Sequence, residues 1–316
     1  MSDQEKTKFL IEQLTAKFAI DGQNVNDYLE GVLHANYEPY WRYIALDALL
    51  GLQQPKTDIP DEMVFITYHQ ITELYFKLIL HELNQIRDDA MDTDCFVDKI
   101  IRIRRYLNNL IASFDIMIDG MEKGQFLKFR MALLPASGFQ SVQFRMIEMA
   151  FTDMKNLVVQ TKREGIVNAS LEEQYNVIYW KQGAMDMAND KKTLTLTQFE
   201  KHYQKELLAW AKACQTCNLY QIVQKMIANG TLSEKLKSEL RLLDTCLNVN
   251  WRLSHYRSAV RYLSNGNNNS DVRGTGGTNW QKFLPPKFQK IVSFPELWND
   301  HELAEWGKSW VDEQIG

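Results

Sequence analysis

An all-α fold is predicted for this 316-residue chain, with one large helical domain and a smaller helical subdomain. Two observations carry that reading. Only 15 glycines and 7 prolines occur in the whole chain, so helix breakers are scarce. Long stretches also repeat their apolar residues at helical spacing rather than alternating them. At this length a sizeable core can be buried in one large domain or two moderate ones.

Residues 5–20 read as a short amphipathic helix. Residues 24–52 come next, with Tyr37, Tyr40, Trp41 and Tyr43 clustered around Pro39. Such a cluster fits packing on another chain and fits ordinary anchoring of an N-terminal arm equally well. Residues 53–62 form a two-proline turn in which Asp58 or Asp61 can cap the next helix. The spacing then predicts a deeply buried helix over 62–87, on which Phe65, His69, Thr72, Glu73 and Phe76 share one face. Another long helix is predicted over 93–123. Residues 125–150 are apolar but interrupted by Pro135 and Gly138. Residues 151–245 read as peripheral surface helices with polar connections, 180–193 being a polar join. From Trp251 a further helix places Trp251, His255, Ser258, Ala259 and Tyr262 close to one face. A polar loop over 265–271, a glycine-rich turn at Gly274–Gly277 and a last amphipathic helix with Trp306 and Trp310 complete the chain. The expected divisions are a 1–52 arm, a 53–150 core, a 151–245 peripheral segment and a 246–316 C-terminal part.

Composition narrows the function classes. A net charge of -4 with no basic stripe argues against nucleic acid or an anionic membrane as partner. No apolar run reaches bilayer-spanning length, and the charged N-terminus lacks a signal-peptide core, so a cytoplasmic location is expected. Four cysteines are too few for a disulfide framework, and the lone Cys214–Cys217 pair lacks a second ligand pair for zinc.

Three residues stand out chemically. His255 sits on an apolar helix face beside small residues, a setting that admits a flat macrocycle; a core histidine bonded to a carbonyl is the commoner outcome for such a residue. His69, on the buried 62–87 helix, needs a hydrogen-bond partner from protein, water or ligand. Arg130 stands in an apolar setting with no acidic residue within a turn, so it needs a tertiary anion or a ligand carboxylate.

Three separated blocks together resemble the tryptophan 2,3-dioxygenase family. The first runs from Asp61 to Gln70 and on through Glu73–Lys77 and His81–Leu83. The second is Phe129-Arg130 with Pro135-Ala136-Ser137-Gly138-Phe139-Gln140-Ser141. The third is Trp251-Arg252 with His255 and the Gly274–Gly277 turn. The resemblance covers the chain from about Asp27 onward.

It implies an all-α homotetramer with haem b in a pocket between long helices and His255 as the iron ligand. Phe65 to His69, with Ile66, Thr67 and Tyr68 between them, matches the distal wall, His69 meeting the indole N–H. Arg130 matches the group that clamps the substrate carboxylate, with Ser137 beside it and Thr275 on a flap over the amino-acid end. Tyr40 and Tyr43 match aromatics that reach a neighbouring subunit's site. Phe126 stands where the family often has tyrosine, which removes one polar contact. The flap reads GTGGTNW rather than GTGGSSG, after a longer join. The implied reaction opens the indole ring of L-tryptophan with O₂ to give N-formyl-L-kynurenine. Related alternatives are a haem monooxygenase or peroxygenase acting on a modified tryptophan or a tyrosine, and, from another class, a haem sensor or helical scaffold.

Overall fold

The computed structural model describes residues 1–88, 92–166, 168–186, 191–264, 281 and 284–308. The chain divides into two compact units, Met1–Gln54 and Pro55–Gly316.

The first unit holds α1 (Asp3–Ile20), α2 (Val25–His34), α3 (Tyr40–Tyr43) and α4 (Leu46–Leu50). Ser2 and Glu5 close a capping box at the start of α1. Phe18 meets Tyr28 across α1 and α2 at 5.3 Å between ring centroids. Val25 is the buried hydrophobic residue of this unit, while Tyr37, Tyr40, Trp41 and Tyr43 stand exposed.

The second unit is built on α5 (Asp61–Asp88) and α6 (Thr93–Ile118), the expected pair of long helices. Ile79, Leu83 and Ile86 of α5 share one core with Ile100, Ile103, Leu107 and Leu110 of α6. A buried carboxylate reinforces that contact: Glu82 pairs with Lys99 at 2.8 Å and Arg102 at 2.7 Å. The carboxylates at the start of α5 serve their neighbours. Glu62 accepts from the backbone of Lys56 and Thr57 at 2.9 and 2.8 Å, and Asp61 accepts from Glu122 N at 2.7 Å.

After α7 (Lys123–Phe129) a 3₁₀ turn covers Arg130–Leu133, the Leu134–Pro135 bond is cis, and a second 3₁₀ turn covers Gly138–Gln140. Ser141 then caps α8 (Val142–Phe151) by accepting from Phe144 N at 3.3 Å. The interruption expected over 125–150 is this pair of turns.

The stretch 151–245 departs from the peripheral reading. It contains α9 (Met154–Leu157), α10 (Arg163–Ile166), α11 (Leu171–Asn176), α12 (Tyr179–Gln182), α13 (Leu194–Cys214), α14 (Leu219–Ala228) and α15 (Glu234–Thr245). Tyr175, Ile178, Trp180, Leu196, Phe199 and Leu207 make a second core, and Leu236, Leu240 and Leu243 join the first. The expected polar join at 180–193 also differs: Trp180, Lys181 and Ala184 are buried, and Met185–Asp186 pairs antiparallel with Lys191–Lys192. Lys181 is buried because Glu200 meets it at 2.7 Å and the Tyr175 ring lies 3.6 Å away, so a polar composition did not mean a surface position.

A π-helical turn, Cys246–Asn250, leads from α15 into α16 (Trp251–Leu263). The C-terminal segment returns to pack on it, with Ile291, Phe294, Leu297 and Trp306 buried. Where a last amphipathic helix with Trp306 was expected, the described part has a short helix, Asp300–Ala304, and Trp306 lies in the turn after it. Trp310 and the 265–280 segment, with Thr275 and the Gly274–Gly277 turn, lie outside the described residues. No described helix is long and apolar enough to cross a membrane.

Candidate active site

A cavity of about 300 Å³ lies between α5, α6, α7, the 137–141 turn, α8, α12 and α16. All five residues assigned to one face of α5, namely Phe65, His69, Thr72, Glu73 and Phe76, line it. So do Trp251, His255, Ser258, Ala259 and Tyr262 of α16. Two helical periodicities, read about 190 residues apart in the chain, thus converge on one space.

Most of the wall is aromatic. Phe114 stacks on His255 at 6.2 Å and meets Trp251 at 4.8 Å. Phe126 meets Tyr262 at 4.7 Å and Phe65 at 6.2 Å. Phe65 in turn lies 4.1 Å from the His69 ring.

The two histidines are electrostatically distinct from surface imidazoles. Burial pulls His255 down to about 4, with further lowering from His69, Arg145 and Arg252. Its ring is therefore neutral at neutral pH and keeps a lone pair for a metal. His69 is also pulled down by desolvation, offset in part by the Phe65 carbonyl and Glu73. His69 lines the cavity. Nδ1 lies 2.7 Å from the Phe65 carbonyl. A carbonyl only accepts, so Nδ1 carries the proton and the neutral ring presents Nε2 as an acceptor.

Gly138 faces His255. A Cβ built on it would lie 3.4 Å from Cε1 and 3.7 Å from Nε2. The missing side chain keeps the Nε2 edge open, and residues 137–141 form the opposing surface.

One wall is ionic. Glu148, 1% exposed, meets Arg145 at 2.9 Å and Arg252 at 2.9 Å, and accepts from the Tyr179 hydroxyl. The Arg252 guanidinium lies 4.7 Å from the Tyr179 ring centroid. Two guanidiniums share one carboxylate, so this patch presents net positive charge to the cavity. Arg252 stood in the sequence reading only as part of the Trp251-Arg252 block, and Arg145, Glu148, Tyr179, Trp180 and Gln289 were given no role there. The available signal was the Arg145–Glu148 pair, an i,i+3 ion pair within an apolar run.

Among the other sequence candidates, Tyr68, Phe126 and Ser137 line the cavity. Ile66 and Thr67 are half-buried on α5 and Arg130 is 8% exposed in the turn after α7; none of the three is among the cavity-lining residues. Arg130 is carried one helical turn beyond Phe126. Tyr40 and Tyr43 belong to the first unit, 71% and 79% exposed.

A family model described as tryptophan 2,3-dioxygenase matches residues 27–237, a span that ends ahead of α16 and His255. Among curated relatives, the tryptophan 2,3-dioxygenase of Bacillus anthracis is 29% identical over 298 residues, covering 88% of this chain and 98% of its own. That of Herpetosiphon aurantiacus is 31% identical over 264 residues, with 82% and 95% covered. The Bradyrhizobium diazoefficiens enzyme is 28% identical over 278 residues, with 82% and 90% covered. By the extent of these matches, the chain belongs to the tryptophan 2,3-dioxygenase family.

Proposed function

We propose that the cavity shared by His255 and His69 is the haem and tryptophan site of a dioxygenase that converts L-tryptophan and O₂ to N-formyl-L-kynurenine. The observation that carries this reading is the His255 imidazole facing Gly138 inside an aromatic cavity that His69 also lines. A haem needs one protein donor, because the macrocycle supplies the equatorial ligands. The absence of a His/Cys/Asp/Glu cluster among the described residues is therefore compatible with this cofactor. The residues fit haem in three respects: a lone-pair donor, an apolar slot that a Cβ at 138 would fill, and a net-positive patch suited to the acid side chains of haem b.

Haem iron, when bound, supplies the metal centre at which triplet oxygen can react with a closed-shell indole. The protein supplies placement. His69, with Nδ1 committed to the Phe65 carbonyl, offers Nε2 to the indole N–H and so fixes the ring's rotation. Phe65, Tyr68 and Phe126 present apolar surface to the indole and exclude water. Arg130 holds the substrate carboxylate, and Ser137 hydrogen-bonds beside it; the support is Arg130's burial and its place one turn beyond Phe126. Ile66 and Thr67 back this wall, and Thr275 closes over the amino-acid end. Tyr40 and Tyr43, exposed on the N-terminal unit, reach a neighbouring subunit's site in a homotetramer. The location is cytoplasmic.

Purified protein loaded with ferrous haem is expected to convert L-tryptophan in air to a product with N-formylkynurenine absorbance, carrying two labelled oxygens from ¹⁸O₂. A single labelled oxygen would instead support the monooxygenase alternative. His255→Ala is expected to lose the histidine-ligated Soret band and all turnover. A normal band with retained turnover would remove His255 as ligand.

A further inference from the structure

The stretch from Glu234 to Leu263 contains neither glycine nor proline, yet its helix is not uniform. Residues Cys246–Asn250 are π-helical, and Trp251 N donates to the Cys246 carbonyl five residues back. π-turns inside α-helices are rare and gather at functional sites. Here the consequence can be worked out. An α-helix advances about 100° per residue, so on an unbroken helix His255 would point about 60–120° away from Leu236, Leu240 and Leu243. Those leucines are fully buried in the core that contains α6. The π-turn adds one residue and turns everything downstream back by about 100°. His255 thereby returns to the leucine face and meets α6 again at Phe114.

The turn is fastened from outside the helix. Asn248 is 1% exposed and fully engaged: Nδ2 donates to Asp244 Oδ1 at 2.7 Å and Ser293 Oγ at 2.8 Å, and Oδ1 accepts from Arg252 Nη2 at 3.0 Å. Asp244 is fully buried and also accepts from Ser293 N at 2.9 Å, Phe294 N at 3.2 Å and Trp298 Nε1 at 3.1 Å. One amide therefore joins a residue before the π-turn, a residue after it and the returning C-terminal segment.

We propose that this π-turn, locked by Asn248, aims His255 into the cavity, and that Asn248 is a positioning residue for the iron ligand. The proposal rests on His255 holding haem. Asn248→Asp keeps the side-chain shape but sets an oxygen against the Asp244 carboxylate. In haem transfer to apomyoglobin, it is expected to release haem about ten- to a hundred-fold faster than the unsubstituted protein. Imidazole complementation separates aim from general stability. In a His255→Gly background, added imidazole supplies the ligand from solution, and adding Asn248→Asp is expected to leave imidazole-supported haem retention unchanged. Equal weakening in both backgrounds, or unaltered haem loss with His255 present, overturns the proposal. Absence of a histidine-ligated spectrum in the unsubstituted protein would defeat the haem reading itself, a distinguishable failure. If the variant does not fold, a crystal structure of the unsubstituted protein decides. An unbroken i→i−4 ladder through 246–250 overturns the proposal, and a retained π-turn with His255 in the cavity supports it.

Discussion

Replacing Glu148 with glutamine tests the ionic wall of the cavity most directly. The carboxylate is 1% exposed and its partners Arg145 and Arg252 are 5% and 6% exposed, so solvent screens none of the three. The amide keeps the shape and one acceptor but removes the negative charge that both guanidiniums share. Breaking a buried pair from one side costs about 3–5 kcal/mol, a large share of the roughly 5–15 kcal/mol that holds a protein folded. Glu82→Gln provides the internal standard. Glu82 is equally buried, but of its two partners Lys99 keeps the Gln85 side chain at 2.6 Å and Arg102, 49% exposed, can turn to water, so the expected cost is about 1.5–3 kcal/mol. Urea unfolding of the haem-free protein, compared at equal slopes, measures both. A Glu148→Gln cost below about 1 kcal/mol, or one smaller than that of Glu82→Gln, would refute this reading of the wall. The triple replacement of Arg145, Glu148 and Arg252 by apolar residues of similar volume should recover most of the loss, because desolvation of three charges disappears with them.

Arg130→Ala is expected to raise KM for tryptophan by the equivalent of about 2–5 kcal/mol, the loss of a buried carboxylate's partner; an unchanged KM would refute the clamp. His69 must be neutral to accept the indole N–H, and burial lowers its pKa, so kcat/KM should hold as pH falls through about 6.5 and decline only below it. The same shift makes the native state bind fewer protons than the unfolded chain below that pH, so the stability linked to His69 is complete above it and is lost as the solution becomes more acid. Glu73 raises the His69 pKa, so Glu73→Gln should move the acid limb further down; a limb at or above the ordinary imidazole value would contradict both statements. Gly138→Ala puts a methyl 3.4 Å from His255 Cε1 and is expected to weaken haem retention without lowering haem-free stability, as haem titration and thermal unfolding would show.

The long helices were legible because their signal is local. Helical spacing marked α5 and α6, and the face containing Phe65, His69, Thr72, Glu73 and Phe76 lines the cavity as a unit. The PASGFQS stretch announced an interruption, and the structure places one 3₁₀ turn within it, Gly138–Gln140, and another just ahead of it, Arg130–Leu133. Residues 151–245 misled because amphipathic patterning with many charges describes a surface helix and also a helix whose charges are paired inside. Lys181 and Glu200 are of the second kind, and nothing near either in the chain reports the partner.

The same limit governs the site. Motif positions gave His255, His69, Phe126 and Ser137, and all four line one cavity. The ionic wall joins Arg145 and Glu148 to Arg252, 104 residues beyond Glu148, and to Tyr179. Such a group exists only once the helices are packed, and each member alone resembles an ordinary charge or a core tyrosine. The π-turn is harder still to read. A one-residue phase shift leaves apolar spacing nearly intact on both sides, so α15 and α16 each look regular, and the discontinuity shows only in which residues share a face. Without that shift the α16 periodicity and the α15 leucines would require different neighbours; with it, both pack along α6, and the histidine arrives where α5 presents its own.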